Sequence, residues 1–372
     1  MKAPIENPLV KTHYATEKRI GGWGNRSLQS CHLSEADTLN QLRSILKSGD
    51  LDSYIARGLG RSYGDPSLNE GQGVILQTSR NLFLGLDESQ GMLECQAGVT
   101  FSEIIDHLLP RGWFLPTTPG TRFVTVGGAI AADVHGKNHH RHGSLGNAVE
   151  SLRLLTASGE TVTCSRQQNS DLFWATIGGM GLTGIILDAR FRLRAVQTAY
   201  CHVTYRRTAN LEDTLDLFQQ SDESFEYSVA WIDCLARGSK LGRSVVMLAN
   251  DARVDDLPPG LRPAALELPK RRRLALPFHL PGFVLNPIAV KAFNGFYYSR
   301  HGDSERLIDF DTFFYPLDGI RHWNRIYGRR GFVQYQALFP HSTSRQGLAE
   351  MLEKIAHSRR ASFLAVLKSS GP

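Results

Sequence analysis

Four of the thirteen histidines in this chain fall within eight residues, at positions where imidazole could bind a metal or move a proton. They are His135, His139, His140 and His142. No carboxylate or thiolate lies within the run, the H-E-x-x-H pattern is absent, and Lys137 and Arg141 add positive charge. We therefore predict no metal site. From the residues alone, an exposed basic loop is the alternative.

A second feature is the distribution of glycine, since 20 of the 35 glycines lie between Gly58 and Gly184. Glycine permits positive φ angles and close approach of the main chain to a ligand. Three loops, at residues 57–65, 119–132 and 177–186, are rich in it. Gly58-Leu59-Gly60 does not continue as G-x-G-x-x-G, and no G-K-[ST] occurs, which disfavours a nicotinamide-binding Rossmann domain. One such loop fits a tight turn, but three indicate main-chain N–H groups around a large phosphate-bearing ligand.

Strands and helices must position these loops. Apolar residues spaced three or four apart predict helices over 39–46, after a cap signal at 34–37, and over 101–109, after Thr100. Short apolar runs predict strands over 52–56, 73–76, 92–96, 187–193 and 363–367.

The composition excludes several classes of protein. With 372 residues, 41% hydrophobic and 21% charged, the chain is expected to be globular, with two domains. Its net charge is +6, but only Lys270–Arg273 is densely basic, so we predict no nucleic-acid binding. Five cysteines lie far apart, which predicts reduced structural thiols. No apolar run reaches the length of a membrane span and the opening residues do not resemble a signal peptide, so we expect a cytoplasmic protein.

Eleven longer motifs extend over nearly the whole chain. They are RGLGRSYGD at 57–65, PGTR at 119–122, VTVGGAI at 124–130, HGKNHH at 135–140, FWATIGGMGLTGII at 173–186, SVAWID at 228–233, KLGR at 240–243, YPLD at 315–318, WNR at 323–325, GFVQYQ at 331–336 and SFLAVLK at 362–368. Together they closely resemble the decaprenylphosphoryl-β-D-ribose oxidase family, which belongs to the vanillyl-alcohol-oxidase type of FAD-binding oxidoreductases.

The resemblance implies an α+β fold. A PCMH-type FAD-binding domain of two α/β subdomains is expected over residues 1–196, and a substrate domain with a largely antiparallel sheet covered by helices over 197–372. The family continues with further strands and a segment that returns to the FAD domain, so we expect this substrate domain to be incomplete at its C-terminus. A truncation, a fragment and completion by a second polypeptide remain alternatives. Many relatives attach the flavin to a histidine where this chain has Arg61, which implies non-covalent FAD.

The resemblance also implies roles for individual residues. His135, Lys368 and Tyr63 are expected to be catalytic, and the neutral-range pKa of histidine suits His135 to assist a hydroxyl proton. For Trp231 and Gln334, a core aromatic and a paired strand amide are alternatives of equal weight. The expected substrate-binding residues are Lys137, Trp231, Gln334, Gln336 and Lys368. The expected FAD-binding residues are Arg57, Gly58, Leu59, Gly60, Arg61, Ser62, Tyr63, Gly120, Thr121, Thr125, Val126, Gly127, Gly128, Ala131, His135, Gly136, Asn138, Gly143, Gly181, Gly184 and Ile185.

The function expected from the resemblance is oxidation of a sugar hydroxyl, by hydride transfer to flavin N5. The 2-hydroxyl of a polyprenylphosphoryl-ribose is the leading substrate, and a partner keto-reductase would complete the arabino epimer. An alditol or sugar-lactone oxidase that uses oxygen is an alternative, as is an inactive flavin-binding or assembly subunit. A solvated loop is the default interpretation of Lys270–Arg273, and contact with an anionic membrane is the alternative, which would place the protein peripherally at the inner face of the cell membrane.

Overall fold

The computed structural model describes residues 15–358, 360, 362 and 364–371, so residues 1–14 of the predicted FAD-binding domain and Phe363 of the predicted last strand lie outside it. The chain first forms a four-stranded sheet in the order β1-β2-β4-β3, in which β2, β4 and β3 are parallel. Its elements are β1 Thr16–Gly21, β2 Leu28–Glu35, α1 Leu39–Lys47, β3 Tyr54–Arg57 and β4 Gly73–Leu76.

The cap of α1 differs from the predicted one. Thr38 caps the helix in a capping box with Gln41. The predicted signal at residues 34–37 is wrong because Ser34 and Glu35 are the last residues of β2. The helix itself lies where its apolar spacing predicts it.

The second part is an antiparallel sheet in the order β5-β6-β10-β8-β9. As predicted, its helix α2 begins after Thr100, which forms a capping box with Glu103. The elements are β5 Phe83–Asp87, β6 Met92–Gln96, α2 Phe101–Leu108, β7 Trp113–Phe114, α3 Val126–Ala131, α4 His139–His142, β8 Val149–Leu155, β9 Thr161–Ser165, α5 Ser170–Thr176, β10 Ile185–Arg192 and β11 Arg194–Ala195.

The third part is an antiparallel sheet in the order β16-β12-β14-β13-β18. Helices α6 and α9 cover one of its faces, and α7 packs on the other through Tyr297. The elements are β12 Tyr200–Thr208, α6 Leu211–Ser221, β13 Tyr227–Ile232, β14 Ser244–Asp251, β15 Leu274–Ala275, α7 Pro287–Arg300, β16 Ser304–Asp309, α8 Phe310–Phe314, β17 Ile320–Arg321, α9 His341–Ser358 and β18 Val366–Leu367.

The hydrophobic core joins the second and third sheets. Phe114 packs against Phe310 with ring centroids 4.7 Å apart, and Tyr227 packs against Phe314 at 5.0 Å. All five cysteines are buried free thiols. The α+β fold is therefore confirmed. The predicted boundary between residues 196 and 197 falls between β11 and β12, which belong to different sheets, and the apolar core continues across it.

Candidate functional site

The first glycine loop, residues 57–64, leaves the carboxyl end of parallel strand β3, the edge at which open α/β sheets bind ligands. Arg57 fixes its start, since the guanidinium donates to Gly21 O (2.7 Å) and Ser67 O (3.2 Å). Gly60 has a φ of +63°, a conformation that favours glycine. No described carbonyl accepts a hydrogen bond from the main-chain N–H of residues 58–64. Unpaired N–H groups in a turn bind anions, so this loop is suited to a phosphate.

The second loop leads into α3 and directly contacts the first. A Cβ on Gly58 would overlap Thr125 Oγ1, and Thr125 caps α3 by accepting from Gly128 N at 3.2 Å. However, Val126 N donates to Val99 O and Gly127 N to Ala97 O, each at 2.8 Å. The main-chain N–H groups of Val126 and Gly127 are therefore bonded within the protein and do not face a ligand. The glycines of α3 allow close packing instead.

The third loop, residues 177–184, packs on the other end of α3. Gly178 N donates to Ile130 O (3.0 Å) and Met180 N to Ala131 O (2.8 Å). A Cβ on Gly181 would lie 3.3 Å from Ile55 Cδ1 in β3. The three loops thus converge around α3, although the amides of the third loop are also used within the protein.

The third loop contains the spacing G-x-G-x-x-G at residues 179–184, which the first loop lacks. They precede β10 rather than a helix, so they do not form the Rossmann fingerprint. Gly184 has a φ of +143°, and a Cβ there would lie 2.5 Å from Leu155 O. Ile185 follows as the buried first residue of β10. Gly184 therefore allows the chain to turn tightly into the buried strand β10.

The loop that carries His135 is held by its neighbours. Asn138 is buried; its amide donates to Pro116 O and its Oδ1 accepts from Thr117 Oγ1, both at 2.9 Å. A Cβ on Gly136 would lie 2.6 Å from Thr117 Oγ1. Gly143 ends α4 with a φ of +69°. These three predicted FAD-binding residues thus set the conformation of the loop. The Asn138 side chain forms its hydrogen bonds within the protein.

Lys137 and Lys368 lie close together beside His135, and the two lysines repel each other when both are charged. The Lys137 ammonium donates to Phe313 O and lies 4.2 Å from the centroid of the Phe313 ring. Burial and the nearby Lys368 lower the pKa of Lys137 to about 7. Burial lowers the pKa of Lys368 to about 8. Burial, Lys368 and His139 lower the pKa of His135 to about 4. An anionic ligand would relieve this repulsion.

The register of the third sheet explains the position of Lys368. Leu367 pairs with Ala230, and Val366 pairs with Trp231. Successive side chains alternate between faces, so Lys368 points to the face that carries Trp231, opposite helices α6 and α9. Gly371 packs on the carbonyls of His139 and His140 just beyond it. The last described strand therefore places the amine of Lys368 next to the loop that carries His135.

We expect the substitution Lys137→Met to stabilise the protein, because it removes a buried charge. Replacing a buried charge with an apolar side chain of similar size is worth about 1 kcal/mol or more in unfolding free energy. The gain should be largest below pH of about 7, where Lys137 is charged in both the folded and the unfolded chain. It should vanish above the ordinary lysine pKa of about 10.4, where both states are neutral.

Thermal unfolding midpoints measured across this pH range test the prediction. Lys240→Met, at an exposed position, is the matched control and should leave the midpoint unchanged. If Lys137→Met unfolded at a lower temperature than the original protein at every pH, the claim that the Lys137 charge destabilises the fold would be contradicted.

Several buried polar atoms near these loops have no hydrogen-bond partner among the described residues. They are His135 Nδ1, His139 Nδ1, Arg61 Nε, and both amide atoms of Gln77, which follows β4 beside Arg57. Buried polar groups are nearly always paired, so unpaired ones in one region indicate a missing polar partner. A ligand with many polar atoms would satisfy them.

Tyr63 lies at the far end of the first loop, in an aromatic cluster. Its ring contacts Phe332 (4.8 Å between centroids) and Trp323 (6.1 Å). Burial and Asp318 raise the pKa of Tyr63. Arg61 lies 3.9 Å from the centroid of the Trp23 ring. None of these contacts involves His135 or Lys368, so the structure brings two of the three predicted catalytic residues together and places Tyr63 apart from them.

Of the other predicted substrate residues, Trp231 is buried and the glutamines are exposed. The Trp231 ring packs on Tyr297 of α7 at 4.7 Å. Gln334 and Gln336 lie in an extended exposed segment, where Gln334 Nε2 is 3.4 Å from Gln336 Oε1. No described strand pairs with that segment, so the alternative of a paired strand amide for Gln334 is not formed there, and the predicted substrate contact of both glutamines stays a prediction.

Asp318 has a structural role that its sequence context did not indicate. This buried carboxylate accepts from Arg122 N (2.9 Å) and from Thr121 Oγ1 (3.1 Å), and burial raises its pKa. It thereby fixes the turn at 119–122, whereas a Cβ on Gly120 would face open space. The only signal was the motif YPLD, for which the sequence offered no role. Its Tyr315 hydroxyl also contacts Thr118 Oγ1 at 2.7 Å.

The remaining histidines of the cluster are engaged on the protein surface. His142 Nε2 lies 2.6 Å from Glu226 Oε1, and His140 Nε2 lies 3.0 Å from Phe225 O. Among the described residues, no three His, Cys, Asp or Glu side chains are grouped so that they could hold a metal ion. No helix in the described parts of the chain has both the length and the apolar character needed to cross a membrane.

Comparison with known proteins identifies the class of this site. Residues 34–165 match the FAD binding domain family. The chain is 37% identical to decaprenylphosphoryl-β-D-ribose oxidase of Mycolicibacterium smegmatis over 96% of this chain and 79% of that protein. It is 39% identical to an uncharacterized protein of Streptomyces coelicolor over 49% of each chain. It is also 32% identical to a protein named as a D-arabinono-1,4-lactone oxidase of Neurospora crassa, over 30% of this chain and 20% of that one.

Proposed function

Because the chain belongs to the decaprenylphosphoryl-β-D-ribose oxidase family of FAD-dependent oxidoreductases, we propose that it oxidises the 2-hydroxyl of a polyprenylphosphoryl-ribose to a ketone. The observation that carries the proposal is the grouping of the Lys137 and Lys368 amines beside His135, because an anionic sugar phosphate would stabilise the charged form of both lysines. The keto sugar would then be reduced by a separate enzyme to the arabino epimer.

The residues around α3 fit FAD as the cofactor. The unpaired N–H groups of residues 58–64 would hold the pyrophosphate, as main-chain concavities do. The unpaired polar atoms of Gln77, Arg61 and His135 would meet polar groups of the cofactor. Arginine at position 61 cannot form the flavin bond that histidine forms, so binding is non-covalent. When bound, FAD supplies the acceptor for the hydride that leaves the sugar carbon.

The protein's own task is to position the sugar and take the hydroxyl proton. A proton acceptor works best when its pKa lies near the working pH. With a pKa of about 4, His135 is neutral but weakly basic, which suits it to hydrogen bonding. Lys368, with a pKa of about 8 and no described hydrogen bond from its ammonium, is the better proton acceptor. The hydroxyl proton passes to its free amine as the C–H hydride leaves.

Lys137 and Trp231 complete the substrate site. Lys137 is held in place by Phe313 O and by the Phe313 ring, so its side-chain nitrogen is preorganised to donate a hydrogen bond to a phosphate or a sugar hydroxyl. Trp231 and Tyr297 form an aromatic wall on the same face of the third sheet as Lys368. Apolar rings of this kind pack against a sugar face or the first isoprene units.

Anaerobic bleaching of the flavin absorbance tests the function. The full chain is mixed with a short-chain polyprenylphosphoryl-ribose, and in parallel with free ribose and arabinono-1,4-lactone. We expect bleaching by the phosphoryl-ribose, followed by detection of the keto sugar after trapping with borohydride. Bleaching by the lactone alone would instead support a sugar-lactone oxidase, the activity that the Neurospora crassa relative's name suggests. A flavin that no sugar bleaches would support an inactive flavin-binding subunit.

A further inference from the structure

The segment 268–302 is unusual in charge, because it contains no aspartate or glutamate. It carries six cations: Lys270, Arg271, Arg272, Arg273, Lys291 and Arg300. Two of the four cations at Lys270–Arg273 are paired within the protein. Arg271 lies 2.5 Å from Asp309, and Arg273 lies 3.9 Å from Asp311. Within the described residues, Lys270 and Arg272 form no ion pair, so charge at this cluster supplies about half of the expected attraction.

The same segment exposes large apolar side chains. Each of the following is between 62% and 83% exposed: Leu274, Phe278, Phe283, Ile288 and Phe296. Scattered apolar residues on a surface are ordinary, but several within one short segment mark an interaction site. Phe283 and Ile288 are the most exposed of them, and they flank Asn286, the residue that caps α7.

Helix α7 has two distinct faces. Val290, Asn294 and Tyr297 face the third sheet, where Asn294 Nδ2 donates to Asp233 Oδ1 at 2.7 Å. Ile288, Ala292 and Phe296 follow one another at intervals of four residues and form an exposed apolar stripe. An apolar helical stripe with cations beside it is the pattern of helices that lie in a membrane interface.

The loop before α7 is held against the site. Leu280 N donates to Arg325 O at 2.9 Å, and Arg325 Nη1 donates to Leu276 O at 2.7 Å. The neighbouring Trp323 contacts Tyr63, just as Tyr297 of α7 contacts Trp231. The elements that expose these apolar side chains therefore also border the candidate site with their inner faces.

We propose that the basic-apolar surface, defined as Lys270, Arg272, Leu274, Phe278, Phe283, Ile288 and Phe296, binds an anionic lipid bilayer. The apolar side chains enter the interface, and the two unpaired cations contact lipid headgroups. A second copy of the chain fits poorly, since two such segments without acidic residues would repel each other. An anionic bilayer offers negative charge for the cations of this surface and an apolar phase for its exposed side chains.

Flotation of the full chain with lipid vesicles tests the proposal. Vesicles of phosphatidylcholine with phosphatidylglycerol are compared with phosphatidylcholine alone at low salt. We expect binding to the anionic vesicles, weakened about fivefold for each of Lys270→Gln and Arg272→Gln. The variant Phe283→Ser/Ile288→Ser should lose at least about tenfold in affinity, because both apolar anchors are removed. Leu82→Ser/Leu84→Ser, at exposed apolar positions on and beside β5, is the matched control and should bind like the original protein.

The proposal fails if the full chain does not float with anionic vesicles, or if Phe283→Ser/Ile288→Ser binds as well as the control. Loss of a concentration-dependent dimer in that variant would also overturn it, because the surface would then bind a second copy. The inference goes beyond the proposed reaction and can fail separately from it. Bleaching by a short-chain phosphoryl-ribose without flotation would support the reaction and overturn the membrane contact. Flotation without bleaching would support the membrane contact and overturn the reaction.

Discussion

Gly58→Ala is expected to yield a folded protein with little flavin. The added Cβ would overlap Thr125 Oγ1 and lie 3.0 Å from Thr125 Cγ2, so the first loop must move away from the cap of α3. Overpacking of this kind costs about 1–3 kcal/mol. If that cost falls on the bound state, affinity for FAD drops between about fivefold and about a hundredfold. The flavin absorbance per chain after purification is the measurement.

The control for this variant is Gly85→Ala, where a Cβ meets no atom within 4 Å. It should keep its full flavin content. Gly58→Ala/Thr125→Ala removes the overlapping hydroxyl, at the cost of a helix cap worth about 1 kcal/mol, and should recover part of the flavin. Full flavin content in Gly58→Ala would show that the contact between the first loop and α3 does not shape the cofactor site.

Lys368→Met is expected to lower the rate of flavin reduction by about a hundredfold or more, the usual contribution of a general base. In the original protein the free amine is the active form. The rate should therefore be low at acidic pH, rise through the pKa of about 8, and level off above it. In Lys368→Met this rise should disappear. Stopped-flow reduction by phosphoryl-ribose across the pH range gives both results.

Lys354→Met, an exposed position on α9, is the matched control and should keep the rate and the pH profile of the original protein. A merely structural role for Lys368 would lower the rate equally at every pH and leave the profile unchanged. A variant that kept the rise through pH 8 would assign the proton to another group, with Lys137 as the next candidate.

Local sequence signals predicted much of the framework. The cap residue Thr100 and the apolar spacing of α2 placed that helix correctly, because both signals are local in the sequence. The clustering of glycine predicted that the three loops meet, and they do so around α3. Sequence could not predict which amides remain unpaired. That depends on the carbonyls of Ala97, Val99 and Ile130, which come from distant parts of the chain.

Which charged side chains are paired also depends on residues that are distant in the sequence. The run Lys270–Arg273 reads as four equivalent cations, but Asp309 and Asp311 pair with two of them from almost forty residues away. No local sequence signal indicated that Asp318 is buried, because its partners Arg122 and Thr121 lie almost two hundred residues away in the chain. One interpretation made Gln334 a paired strand amide, yet a strand needs a neighbour, and the described chain provides none there.

Acid precipitation of the purified protein tests the central claim most directly, because it asks whether the loops around α3 hold FAD without a covalent bond. We expect a yellow protein that releases one FAD per chain into the supernatant and leaves a colourless pellet. A pellet that stays yellow, or a purified protein that neither carries flavin nor takes up added FAD, would contradict the account.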